Sequence, residues 1–98
     1  MVKIITERHV KEGEEENYIQ VIKDIHPLAK QQPGYITADP LVSIEDPSLF
    51  LVVSTWEKAE DFKAFVESES GRELSELTAP FLKEKPKSTV YNIISLYE

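Results

Sequence analysis

Leu49-Phe50-Leu51-Val52-Val53-Ser54-Thr55-Trp56 is the stretch on which the fold turns. Its first five residues are apolar without interruption, and a polar turn, Glu45-Asp46-Pro47-Ser48, precedes it. A short, continuous apolar run of this kind predicts a strand buried on both faces. Upstream, Tyr35 to Ile44 reads as a second strand, bent or bulged at Pro40, and the short turn between the two implies an antiparallel hairpin. Gln32-Pro33-Gly34 reverses the chain ahead of it. Earlier still, Tyr18, Ile22, Ile25 and Ala29 recur at helical spacing, with Val21 and Leu28 widening the stripe. Glu14-Glu15-Glu16 places acid on that helix's first turn, and Pro27 predicts a kink or break near His26. Val2 to Val10 is rich in β-branched residues and reads as the first strand, closed by the turn Lys11-Glu12-Gly13.

Downstream of Trp56 a helix starts near Lys58, with Phe62, Phe65 and Val66 on one stripe. Ser70-Gly71-Arg72-Glu73 has capping-box spacing and predicts a short third helix from Ser70 to Phe81, with Leu74, Leu77 and Phe81 as its apolar face. Ser88 to Leu96 is the last strand. The order β-α-β-β-α-(α)-β is the ferredoxin-like split βαβ arrangement, an α+β fold with a four-stranded antiparallel sheet and helices on one face. Helices cover one face, so the continuous apolar run, repeated at Ile93-Ile94, calls for cover on the other. The economical cover is the same face of an identical chain, and a homodimer through sheet faces is expected.

At 98 residues the chain has room for one domain, residues 1–98. A monomer of this size buries only about 60–65% of its unfolded surface, so burial against a second copy would help it. There is no cysteine, which removes disulfides and thiolate zinc and agrees with a reducing, cytoplasmic setting. The net charge of −7 argues against nucleic acid, whose binding needs clustered Lys and Arg. No signal-peptide pattern opens the sequence, and no apolar run approaches the roughly 20 residues of a membrane span, so no membrane association is expected.

Several pieces, taken together and in order, resemble the antibiotic biosynthesis monooxygenase-like domains of the dimeric α+β barrel superfamily. They are Val10-Lys11-Glu12-Gly13, Pro33-Gly34-Tyr35-Ile36, Phe50 through Ser54-Thr55-Trp56-Glu57, Glu60-Asp61-Phe62, Ser68 and Pro80-Phe81-Leu82. The resemblance implies a dimeric α+β barrel with a pocket in each subunit, between the helices and the concave sheet face. It also implies an oxidoreductase activity, a cofactor-free monooxygenase acting on a small electron-rich aromatic or quinol. The alternatives are a dimer that binds a small apolar ligand without turnover, and a structural dimer with a filled core.

The candidate site follows from these elements. Trp56, Phe62, Phe65 and Phe81 give an aromatic lining, and the Trp56 indole N–H offers one hydrogen bond; the competing assignment of all four is plain core. Thr6 shares strand parity with Ile4 and Arg8, so one of these polar groups is expected to point into the same layer as apolar neighbours, and Thr6 is the candidate. Arg72 is a candidate partner for a carboxylate or phenolate, and His26 beside Pro27 is the candidate base. His9 and His26 lack metal-ligand spacing, so no metal is expected. By the resemblance, the three haem-site positions of haem-degrading relatives are occupied here by Thr6, Phe65 and Ser75, so no haem or other cofactor is expected. Val52 and Phe62 likewise stand where quinone-forming relatives carry or could use polar side chains.

Overall fold

Alternation in the first strand is converted directly into two chemically different sheet faces. In the computed structural model, which describes residues 1–97, β1 (Val2–His9) buries Val2, Ile4, Thr6 and Arg8 and turns Lys3, Ile5, Glu7 and His9 the other way. β1 is central. It pairs antiparallel with β3 (Leu49–Trp56) on one side and β4 (Lys87–Asn92) on the other, while β2 (Tyr35–Val42) forms the far edge beyond β3. The sheet order β2-β3-β1-β4 is that of the expected α+β, ferredoxin-like fold.

Three helices lie over the buried face: α1 (Glu15–Lys30), α2 (Ala59–Glu67) and α3 (Glu69–Thr78), the last followed by a 3-10 turn over Ala79–Phe81. Of the kink or break expected near His26, the break does not occur: α1 runs through Pro27 from Glu15 to Lys30. Pro27 and Lys23, whose carbonyl it leaves without the usual N–H partner, both sit on the exposed side, where water can take the missing place. The core has two clusters. Val2, Ile4, Trp56 and Phe65 form one, and Val10, Tyr18, Phe50 and Leu82 form the other.

The register of β2 slips between Tyr35 and Thr37, at its start and not at Pro40, which still faces Val52 on the open edge. Gly34, just before it, has φ +83, and a Cβ there would collide with the Asp61 side chain, so the tight join of α1, β2 and α2 depends on glycine. α3 begins two residues earlier than the capping-box spacing suggests. Its N-cap is Ser68, whose Oγ accepts from the Gly71 N–H at 3.1 Å and donates to the Phe65 carbonyl. Gly71 lets the helix start press against that same carbonyl, where a Cβ would not fit. Ser68→Ala is expected to cost about 1 kcal/mol, the usual value of a serine cap, and Ser70→Ala close to nothing. Urea titration of the two variants checks it.

β4 ends at Asn92, so Ile93 and Ile94 are not strand residues; Ile94 is 80% exposed. Val66 and Leu77, read as inward, are exposed as well. Among the described residues, no helix is long and apolar enough to cross a membrane.

Candidate functional site

The inward side chains of β1 and the facing sides of α2 and α3 do not meet everywhere. Between them lies a cavity of about 590 Å³, walled by Phe62, Phe65 and Leu74 from the helices and by Thr6 and Arg8 from β1. Its remaining wall is the stretch after the 3-10 turn, including Glu84, Lys85 and Ser88. That stretch is fixed by backbone bonds: Lys11 N–H donates to the Phe81 carbonyl and Lys83 N–H to the His9 carbonyl, with Val10 bridged to Leu82. A smaller cavity of about 80 Å³ adjoins it, sharing Thr6, Arg8, Phe62, Phe65 and Leu74 and adding Trp56, Tyr35 and His26.

Trp56 is 2% exposed and sits at the hub of an aromatic cluster. It stacks on Phe65 at 5.6 Å and meets Phe62 and Tyr35 edge-on at 5.8 and 5.6 Å. Its indole N–H already donates to Ser54 Oγ at 3.1 Å, so it does not supply the free donor that the sequence offered. Trp56 shapes the site chiefly by holding Phe62 and Phe65, which line both cavities.

The other expected residues divide. Thr6 is buried, lines both cavities and shares a 2.9 Å hydrogen bond with Ser88. His26 is half-buried and borders only the smaller cavity, 6.2 Å from the Tyr35 ring. Burial, reinforced by the negative charge of Asp39, raises the Tyr35 phenol above its ordinary pKa, so it stays a neutral wall at neutral pH. Phe81 and Arg72 are not brought to the site. Phe81 packs on the Tyr18–Phe50 cluster, and Arg72 is exposed on α3 away from both cavities. Helical spacing gave each helix's apolar stripe, but the rotation of that stripe against the sheet comes from tertiary packing.

Arg8 was not among the expected site residues. It is 8% exposed and borders both cavities, and its only side-chain hydrogen bond among the described residues runs from Nη1 to Tyr18 Oη at 3.3 Å. Its Nε is buried without a partner. The available signal was its parity with Val2, Ile4 and Thr6, which places it on the core face. Among the described residues, no group of three or more His, Asp or Glu is placed to hold a metal ion.

Solved structures share this architecture. A protein from Nitrosomonas europaea, provisionally designated an antibiotic biosynthesis monooxygenase, superposes with a TM-score of 0.86 at 23% identity, covering 98% of this chain and 90% of its own. One from Bordetella bronchiseptica with the same provisional designation gives 0.89 at 21% identity, covering 96% and 97%. SnoaB, a cofactor-independent oxygenase from Streptomyces nogalater, gives 0.84 at 12% identity, covering 99% and 97%. At such identities the likeness establishes the fold. No curated protein matches the sequence. The family profile of antibiotic biosynthesis monooxygenases matches residues 1–76, from β1 into α3, and the chain belongs to that family.

Proposed function

We propose that this chain is a cofactor-independent monooxygenase acting on a small electron-rich aromatic or quinol-type substrate. The observation that carries the reading is the aromatic-walled cavity of about 590 Å³ between sheet and helices, with a few inward polar groups. Its size suits one bicyclic or tricyclic ring system. The chemistry asks little of a protein. A deprotonated anthrone or hydroquinone gives electrons to O₂ directly; for an anthrone methylene, one oxygen atom becomes the product carbonyl and the other leaves as water. The substrate supplies every electron, and the protein orients the ring, excludes water and accepts a proton. Likeness in fold to a cofactor-independent oxygenase supports the reading.

Oxygen uptake with a panel of anthrones and hydroquinones tests it. The expected result is enzyme-dependent consumption of one O₂ per anthrone oxidised, undiminished by chelator and needing no added flavin. Uptake no faster than the buffer rate across the panel overturns it.

A second reading, ligand binding without turnover, is favoured by one specific observation. The buried polar side chains of the larger cavity, Thr6, Arg8 and Thr78, include no base; Glu84, Lys85 and Ser88 are exposed, and His26 borders only the smaller cavity. Saturable binding of the same compounds with no oxygen uptake would select it.

Either reading includes a second copy of the chain. Register places Ile5, Leu41, Leu51, Val53 and Tyr91 on the face that no helix covers. Leu41 and Tyr91 are exposed, and the other three are only half-buried. The same face carries Lys3, Glu7 and Asp39 beside this apolar strip, and an exposed apolar strip of this kind favours pairing with its own copy about a two-fold axis.

A further inference from the structure

The cavity wall contains a charge that no described residue neutralises. Arg8 keeps its guanidinium protonated in any protein environment, and it is more than nine-tenths buried. Among the described residues it has no carboxylate partner. Glu84 borders the same cavity, yet the basic side chain within 4 Å of it is His9, at 3.7 Å, and not Arg8. The phenol of Tyr18 accepts one of five guanidinium donors, through a long 3.3 Å bond, and Nε has no partner at all. A buried cation left in this state is costly, and natural sequences keep such groups where something else completes them.

The missing partner has a definite chemistry. A guanidinium with N–H groups still free is a planar fork that matches the two oxygens of a carboxylate, and Arg8 borders the cavity. The walls beside it are Phe62, Phe65 and Leu74, which offer nothing to a small inorganic anion beyond van der Waals contact and suit a flat hydrocarbon ring. We infer that this cavity takes a small aromatic carboxylate, its ring between Phe62, Phe65 and Leu74 and its carboxylate on the Arg8 fork. The inference rests on the ligand-site reading above and narrows it, since a neutral quinol would leave the charge uncompensated. The carboxylate is a binding handle and takes no part in electron transfer.

Isothermal titration of the intact protein with naphthoate, naphthol and naphthalene separates the two levels. Naphthoate is expected to bind about tenfold or more tightly than naphthol, the range of a charge-assisted bond against a neutral one. Arg8→Met should bring the two within about threefold of each other while leaving the thermal midpoint unchanged or raised, because an unpaired buried cation has been exchanged for an apolar chain. Lys85→Gln, at the exposed edge of the cavity, should leave the preference intact. Equal affinity of naphthoate and naphthol for the unaltered protein overturns the role of Arg8 and leaves the aromatic site standing. Loss of the preference in Lys85→Gln overturns it too, by moving the anion to the rim. No binding by any of the three overturns both the role of Arg8 and the ligand site. The comparison within the unaltered protein needs no variant, so a misfolded Arg8→Met would not spare the proposal.

Discussion

Trp56→Ala is expected to cost about 3–5 kcal/mol of folding stability, the range of large aromatic-to-alanine changes in a core. The side chain is 2% exposed and touches three other rings, and its N–H satisfies Ser54 Oγ, itself buried. Removing it opens a hole beside a cavity that already exists, so the neighbours lack support from either side and cannot relax fully. Since a domain of this size holds only about 5–15 kcal/mol in all, the variant should melt far below the parent in a guanidinium titration. Phe65 is the ring stacked on Trp56, and it walls the larger cavity, so ligand affinity should fall in the variant as well. A loss of stability under about 1 kcal/mol would mean that Trp56 lies against space and not against packed neighbours.

Leu51→Asp is the second large effect. If the uncovered sheet face is the dimer interface, two-fold symmetry brings the introduced carboxylate in twice, each copy stripped of water and facing apolar side chains such as Val53 and Ile5. An isolated buried carboxylate is costly enough that the dissociation constant is expected to rise at least about a hundredfold. Sedimentation velocity at micromolar concentration should show a dimer for the parent and a monomer for the variant. A parent that sediments as a monomer, or a variant that stays dimeric, removes the face-to-face assembly.

The sequence carried the sheet well. Backbone chemistry and parity are local, so the alternation in Val2–His9 and the apolar run at Leu49 could be read residue by residue. It was less reliable where a neighbour decides. Ser68 and Ser70 are equally good caps by composition, and Ser68 is chosen because Phe65 and Gly71 meet there. Ile93-Ile94 has strand composition, but the ladder between β1 and β4 ends at Val2 and Asn92. Phe62 and Phe65 border the cavities because they share a helix with a strong stripe, whereas Phe81 lies past Pro80, where the chain leaves helical spacing and sends the ring to the other cluster. Arg8 was passed over for a physical reason. A lone arginine on an alternating strand is nearly always solvated, and only the burial of the whole β1 face by helices far along the chain makes it an interior charge.

β1 fixes more than the site's position. It is the first of the four strands in chain order, yet one of its two hydrogen-bonding edges is completed only by Lys87–Asn92, the last of them. Contacts between such distant segments slow folding, since the entropy of closing the intervening loop is lost before the pairing is gained. Throughout synthesis the nascent chain therefore carries Thr6 and Arg8 on an unfinished strand, and Ser88, which holds Thr6 in place, arrives last. The cavity, walled by Ser88 as well as by Thr6 and Arg8, therefore closes in the same step that completes the sheet.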